Sequence, residues 1–148
     1  MSTLITPHRA RQLMKAYKPR GWSIIMGGTQ QRGASGLCVY ETRKIYVPLV
    51  CDDYSLYVYF HEVGHARLHR HTKKPDHECE YEAEMYAQKA IRDCGFRVSK
   101  EMYNSTKSYI CGCICMDENE GIPIDPKIKA WAFRKSRSKA RNRNRARN

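Results

Sequence analysis

The stretch His61-Glu62-Val63-Gly64-His65 fits the pattern H-E-x-x-H, and the rest of the chain is interpreted around it. On an α-helix, residues four apart lie one turn apart on the same face, so both imidazoles can bind one metal ion. Glu62 lies about 100° around the helix from His61, where its carboxylate can take a proton from a water at that ion. The pattern therefore predicts a Zn²⁺ site with two histidine ligands, a glutamate base and room for a third protein ligand.

The residues on both sides of the motif predict two consecutive helices. Asp52 or Asp53 can cap a helix that runs through the motif to His69, and its apolar residues cover nearly all sides at the start. We therefore expect this helix to lie buried in the middle of a small domain. A second helix is predicted from about Asp76 to Cys94, with Gly95 in the C′ position that ends it.

Three short strands are predicted before the motif, at residues 22–26, 37–40 and 44–47, with a hairpin turn at 41–43. We expect a small antiparallel sheet packed on the motif helix and on the second, glutamate-bearing helix. The strand at 44–47 is expected at the sheet edge, where an extended substrate would add as a further strand. Further helices are predicted after the N-cap candidates Thr6, Ser99 and Asp125.

A third metal ligand has several candidate sources. His71 would give the metzincin spacing, but that class needs glycine where this chain has Leu68, and on a continuing helix His71 points about 80° away from His61. His69 and His71 are expected to be solvated at the end of the helix, where its dipole favours cations. His77, near the start of the second helix, is an alternative third ligand.

The acidic run on the second helix is the favoured source of the third ligand. Glu80 and Glu84 are one turn apart on one face, so Glu80 can bind the metal while Glu84 hydrogen-bonds a ligand histidine from behind. The small Ala83 and Ala87 would let the two helices approach closely. Glu82 lies on another face and is expected to be solvated.

Three stretches together resemble the ImmA/IrrE-type metallopeptidases. They are residues 36–48 (GLCVYETRKIYVP), 56–69 (LYVYFHEVGHARLH) and 80–87 (EYEAEMYA). The glycine inside the motif and the Leu68-His69 pair after it make the resemblance more specific than the bare H-E-x-x-H pattern. The resemblance implies a zincin-like fold of the gluzincin type, bound Zn²⁺, and hydrolysis of a peptide bond in a protein substrate, often a DNA-bound repressor.

The resemblance also implies roles for individual residues. It carries over His61, His65 and Glu80 as metal ligands, with Glu62 as the general base that activates water and returns the proton to the leaving amine. A further group must donate to the carbonyl oxygen of the substrate. The candidates for that donor are His69, His77, Tyr103 and Tyr109.

The composition of the 148 residues, 41% of them hydrophobic, predicts a single domain with one core. There is no run of about 18 apolar residues that would cross a membrane. Residues 1–10 lack a signal-peptide-like apolar stretch, so we expect a cytoplasmic protein whose seven cysteines are free thiols. Cys111, Cys113 and Cys115 form a C-x-C-x-C run that is open to two interpretations, a second metal or redox site, or small residues in a helix.

The last fifteen residues form a basic tail. Residues 134–148 contain eight cations and no acid, and removing these charges from the total of +12 leaves +4 for the predicted domain at residues 1–133. We expect the tail to be disordered and to contact the phosphates of DNA or RNA without reading their sequence, the alternative being a solubility or sorting tail. The predicted contact residues are Arg134, Lys135, Arg137, Lys139, Arg141, Arg143, Arg145 and Arg147. The alternative function is therefore nucleic-acid binding by the tail, with a catalytically inactive core.

Overall fold

The computed structural model describes residues 2–27 and 36–134. These residues contain five helices and three short strands. The elements are α1 (Pro7–Tyr17), β1 (Ser23–Met26), β2 (Leu37–Val39), β3 (Lys44–Val47), α2 (Asp53–Leu68), α3 (Asp76–Asp93), α4 (Lys100–Asn119) and α5 (Pro126–Phe133). The predicted α+β class is confirmed. Residues 28–35 and 135–148, which include the predicted tail except Arg134, lie outside the described residues.

The sheet is mixed, with the strand order β1-β3-β2. β1 pairs with β3 in parallel, and β2 pairs with β3 antiparallel across the predicted hairpin turn. The expectation of an antiparallel sheet is therefore wrong for β1. The expectation that Lys44–Val47 lies at the edge is also wrong, because this strand is the central one. The side chains of Ile45 and Val47 in this strand are fully buried in the core. This burial is expected for a strand that has a partner on each side.

Helix α2 passes through the middle of the molecule, as its apolar surface predicts. Asp52 is the N-cap, and its carboxylate accepts a hydrogen bond from the backbone N–H of Ser55 at 2.8 Å. Leu56, Tyr57, Tyr59, Phe60 and Val63 are all buried, and they belong to the main core together with Ile45 and Val47 of the sheet. Helix α1 packs on the same element, and Tyr59 donates its hydroxyl hydrogen to the backbone oxygen of Met14 at 2.7 Å.

Helices α2 and α3 lie very close together where small residues meet. A Cβ atom added to Gly64 would come within 3.0 Å of the Cα atom of Ala83. The expected close approach at Ala83 is therefore present. Gly95 follows α3 with a φ of 86°, a conformation that glycine adopts without strain, so the predicted end of the helix is confirmed.

Helices α4 and α5 build a second small cluster of buried side chains, Ile110, Ile114, Ile128 and Ala132. Ser99 and Asp125 cap these helices as predicted. In the part of the chain that the structure describes, no helix combines the length and the apolar character needed to cross a membrane.

Candidate metal centre

Three side chains from α2 and α3 converge at one point. Glu80 Oε2 lies 3.0 Å from His61 Nε2 and 3.3 Å from His65 Nε2, and the two histidine Nε2 atoms are 3.1 Å apart. Within residues 2–27 and 36–134, this is the only group of three or more potential metal ligands that lie close to one another. The structure thus brings together the three residues that the sequence selects as ligands.

The dimensions of this triangle suit a tetrahedral cation. Ligand atoms at about 2.0–2.1 Å from a tetrahedrally coordinated zinc are separated by about 3.3 Å, close to the three distances observed. Two ring nitrogens and one carboxylate oxygen are a donor set that zinc accepts in proteins, with a fourth position left for water. The residues present therefore fit a divalent metal ion.

Glu84 lies behind His61, on the side away from the other ligands. Its Oε2 atom is 3.9 Å from His61 Nδ1, while its Oε1 atom accepts hydrogen bonds from the Tyr57 hydroxyl and from Gln88 Nε2. Glu84 Oε2 is buried and has no hydrogen-bond partner among the described residues. A small shift of the His61 ring would bring its Nδ1–H into hydrogen-bond range of about 3 Å. Glu84 therefore occupies the position predicted for a residue that orients His61.

The charges of the metal-free site are strongly coupled. Burial alone would lower the pKa of His61, but the hydrogen bond to Glu80 and the nearby carboxylate of Glu84 raise this pKa to about 10. Burial would likewise raise the pKa of Glu80, and the neighbouring imidazoles of His61 and His65 lower it to about 2. Without a metal ion, the imidazolium of His61 and the carboxylate of Glu80 therefore form an ion pair at neutral pH.

Glu62 is buried beside the ligands and packs directly on the backbone at Gly36. A Cβ atom added to Gly36 would lie only 2.3 Å from Glu62 Cγ, so a side chain at that position would displace the carboxylate. Burial raises the pKa of Glu62, although the neighbouring His61 and His65 oppose this shift. A carboxylate with a raised pKa is better suited to accept and return a proton near neutral pH.

The centre opens into a cleft of about 670 Å³, within the size range of small-molecule and peptide sites. Its walls come from β2, α2, the start of α3 and the middle of α4. His61, Glu62 and His65 lie on one wall, and Tyr109 of α4 lies on another. Glu62 and all three candidate ligands, including Glu80, therefore line the same cleft.

The structure does not place His77, the alternative third ligand, at this centre. His77 is fully buried, its Nδ1 atom lies 2.6 Å from Asp117 Oδ2, and its Nε2 atom accepts the backbone N–H of Asp125 at 3.3 Å. Both ring nitrogens are engaged in joining the start of α3 to α4 and α5. The sequence could not show this, because the partner Asp117 is 40 residues away.

The expectation that His69 is solvated is wrong, whereas Glu82 is partly exposed, with 33% of its side chain accessible. His69 is only 3% exposed, and its Nδ1 atom lies 3.1 Å from Nδ1 of His65. Its Nε2 atom lies 2.9 Å from Glu82 Oε2, and Lys74 binds the other oxygen of Glu82. Burial lowers the pKa of His69. One signal in the sequence was overlooked: His61, His65 and His69 recur every four residues and so share one face of the helix.

Tyr109 is the best placed of the candidate donors to a substrate oxygen. It lines the cleft, and the negative charge of Glu80, together with burial, raises its pKa to about 12, so its hydroxyl remains protonated. Tyr103 instead packs its ring against Trp131, with the ring centroids 5.7 Å apart. Both His69 and His77 already use their ring nitrogens, as described above.

The cysteine run lies on α4, where Cys111 donates its thiol hydrogen to the backbone oxygen of Ala132 at 3.4 Å. All seven cysteines are among the described residues, as free thiols. The three cysteines of the run do not form a group of metal ligands in the described part of the chain. The structure therefore favours the interpretation as small residues of a helix.

The arrangement as a whole can hold a divalent cation and present it, with a buried carboxylate beside it, to a molecule in the cleft. The ligands come from two adjacent helices, and the base and the Tyr109 hydroxyl face the same space. Compared with family models, with curated proteins and with solved structures, the chain finds no match.

Proposed function

We propose that this protein is a zinc-dependent endopeptidase with a zincin-like active site, of the kind that the resemblance to ImmA/IrrE-type metallopeptidases implies. The observation that carries the proposal is the triangle of His61 Nε2, His65 Nε2 and Glu80 Oε2, with buried Glu62 beside it at the cleft. Two imidazoles and one carboxylate suit zinc better than calcium or magnesium, which prefer oxygen ligands. When bound, zinc would supply a Lewis acid that makes water acidic enough to react at neutral pH.

The chain's own residues would carry the proton transfers. Glu62 takes a proton from the attacking water as the water oxygen bonds to the peptide carbon, and then gives this proton to the nitrogen as the C–N bond breaks. Tyr109 would donate a hydrogen bond to the carbonyl oxygen as negative charge develops there. Because the phenol keeps its proton up to about pH 12, it can act as a donor throughout the neutral range.

The strand β2 is the better candidate for holding an extended substrate. It lies at one end of the described sheet, and its residues Leu37 and Cys38 line the cleft, whereas β3 is enclosed between two partners. A peptide that adds to β2 through backbone hydrogen bonds would cross the cleft in front of Glu62. Leu37 is 47% exposed and would contact the substrate's side chains.

The decisive experiment separates metal binding from hydrolysis. Glu62→Gln should bind one equivalent of Zn²⁺ and lose cleavage of a randomised peptide library by at least about a hundredfold, as expected for loss of a general base. Glu80→Gln should weaken metal binding and cleavage together. Glu101→Gln, an exposed change in the first turn of α4, is the matched control and should leave both unchanged. Cleavage that survives in Glu62→Gln would refute the mechanism.

The second candidate is a nucleic-acid-binding protein whose core is inactive, which is favoured by the formal charge of +12 and the eight cations of residues 134–148. In that case the wild-type protein would bind Zn²⁺ and polyanions but cut no peptide in the library assay. In the first case, the same cations would hold a peptidase close to substrates bound on DNA, such as repressors.

A further inference from the structure

A line of contacts leads from the candidate centre to the surface through His65. Its first contact joins His65 Nδ1 to His69 Nδ1 at 3.1 Å, and its second joins His69 Nε2 to Glu82 Oε2 at 2.9 Å. Lys74 binds the other carboxylate oxygen of Glu82. The exposed fraction of the side chains rises along the line, from 1% for His69 to 33% for Glu82 and 47% for Lys74.

The protons on this line can be assigned from the chemistry of imidazole. Two Nδ1 atoms at 3.1 Å form a hydrogen bond only if one carries a proton and the other accepts it. A histidine that presents its Nε2 lone pair to a metal keeps its own proton on Nδ1, so His65 must be the donor and His69 the acceptor. The proton of neutral His69 then lies on Nε2, where it is donated to the carboxylate of Glu82.

The opposite assignment conflicts with metal binding. If His69 donated from Nδ1, neutral His65 would carry its proton on Nε2, which is the atom that lies in the ligand triangle. The carboxylate of Glu82 prevents this, because it accepts and so holds the proton of His69 on the far nitrogen. Lys74 in turn keeps the Glu82 carboxylate charged and in place.

We propose that His69 and Glu82 are positioning residues that fix the orientation and the tautomer of His65 for metal binding. This inference rests on the proposed metal site and adds to it a histidine–histidine–carboxylate line behind one ligand. The other histidine ligand, His61, has the carboxylate of Glu84 behind it, without an intervening ring. Different side chains therefore lie behind the two histidines, His69 and Glu82 behind His65 and Glu84 behind His61.

Two variants of His69 test the proposal. His69→Phe keeps a ring of similar size and removes both polar nitrogens, whereas His69→Gln retains one acceptor and one donor. The phenylalanine variant should bind Zn²⁺ about 10- to 100-fold more weakly and change the absorption spectrum of bound Co²⁺, because His65 loses its acceptor. The glutamine variant should recover most of the affinity. Competition with a chromophoric chelator measures both affinities without any substrate.

If His69→Phe does not fold, a matched pair of substitutions on α3 tests the proposal instead. Glu82→Ala and Glu78→Ala each remove one carboxylate from this helix, and Glu82 is the one that contacts His69. Glu82→Ala should weaken Zn²⁺ binding at least about threefold, and Glu78→Ala should leave it unchanged. Unchanged affinity and an unchanged Co²⁺ spectrum in His69→Phe, or in Glu82→Ala, overturn the positioning role.

The failure of this inference can be distinguished from failure of the proposed function. A wild-type protein that binds Zn²⁺ and cleaves peptides while His69→Phe binds equally well refutes only the line behind His65. A wild-type protein that binds no Zn²⁺ contradicts both. Weaker binding in His69→Phe, rescued in His69→Gln, supports the positioning role even if no peptide is cleaved.

Discussion

At the scale of single residues, the ion pair between His61 and Glu80 stabilises the site without a cation. The imidazolium and the carboxylate sit in the same positions that two ligand atoms would take, with 3.0 Å between them. A metal ion bound at this triad would therefore replace a proton and would not need to create the arrangement. Such a site is preorganised, since the helices are already packed at the required separation.

The ion pair predicts how the stability of the metal-free protein depends on pH. The raised pKa of His61 stabilises the fold fully below its ordinary value of 6.5, and this contribution is lost as pH rises to about 10. The lowered pKa of Glu80 stabilises the fold above its ordinary value of 4.5, and this contribution is lost as pH falls to about 2. The pair should therefore contribute most between pH 4.5 and 6.5.

Urea unfolding of chelator-treated protein at a series of pH values checks this prediction. The difference in unfolding free energy between wild type and Glu80→Gln should be widest between pH 4.5 and 6.5 and should narrow toward pH 10. Glu101→Gln again serves as the control, with a small difference at every pH. A difference for Glu80→Gln that does not vary with pH would show that the pair is not ionised in the folded protein.

Gly36→Ala is predicted to impair hydrolysis and leave metal binding intact. The new Cβ atom would lie 2.3 Å from Glu62 Cγ and 2.8 Å from its carboxyl carbon, so the base must move away from its present position. We expect at least about a tenfold loss of kcat, because misplacing a general base costs much of its effect. Zn²⁺ content, measured on the same samples, should stay at the wild-type level. Full activity in Gly36→Ala would mean that Glu62 works from another position.

The positions of the candidate site residues were predictable from sequence where they depend on a single helix. His61 and His65 share one face of α2 because they are four residues apart. Glu80 and Glu84 share one face of α3 for the same reason. The role of His69 was missed because its partner Glu82 lies on another helix, and periodicity does not fix the rotation of one helix against the next. His77 remained open for the same reason, since only the tertiary structure shows Asp117 beside it.

At the scale of elements, the pairing of α2 and α3 determines whether the ligands meet. Gly64 and Ala83 allow close contact at a point three residues from Glu80 and one residue from His65. The packing contact and the ligand positions therefore belong to the same turn of each helix. A change in helix separation here moves the carboxylate relative to both imidazoles.

Gly64→Ala should destabilise the protein and weaken its metal site. Its Cβ atom would meet backbone atoms of Ala83 at 3.0–3.2 Å, so the helices must separate, at a cost of about 1–3 kcal/mol. Gly112→Ala in α4 is the control, because nothing lies within 4 Å of its added Cβ atom. It should stabilise the protein by about 0.5–1 kcal/mol through helix propensity. Chemical unfolding and Zn²⁺ titration of both variants measure the two effects, and equal stabilities would contradict close packing at Gly64.

The elements themselves were largely predictable, and the sheet topology was not. Caps at Thr6, Asp52, Ser99 and Asp125 mark helix starts in the sequence, and the structure has its helices there. The hairpin of β2 and β3 follows from a local turn. The parallel pairing of β1 with β3 depends on contacts between segments about 20 residues apart, which no local pattern encodes.

At the scale of the whole molecule, the distribution of charge along the sequence is uneven. Residues 1–40 contain no acid, and residues 134–148 contain none either, whereas Glu80 and Glu84 of α3 lie at the candidate metal centre. On α1, Arg9, Arg11 and Lys15 are exposed. Clusters of cations at both ends of the sequence favour binding to a polyanion.

Removal of residues 135–148 tests the role of the tail while keeping Arg134, whose backbone oxygen accepts a hydrogen bond from Lys107. If all seven deleted cations contact B-DNA, the slope of log K against log salt should become less steep by about 6. Fluorescence anisotropy with a duplex at several salt concentrations measures this slope. Zn²⁺ content and peptide cleavage should not change. An unchanged slope would place polyanion binding on the body of the protein, with α1 as the first region to mutate.

The helical hairpin of α2 and α3 also bears on the order of assembly. Its three candidate ligands lie within residues 61–80, so bringing them together closes only a short loop. During synthesis at about 5–20 residues per second, this hairpin emerges before α4 and α5 are complete. The ion could then be captured by a nascent chain and hold the two helices together while the remaining elements fold onto them. On this view the proposed metal would act first on the folding rate.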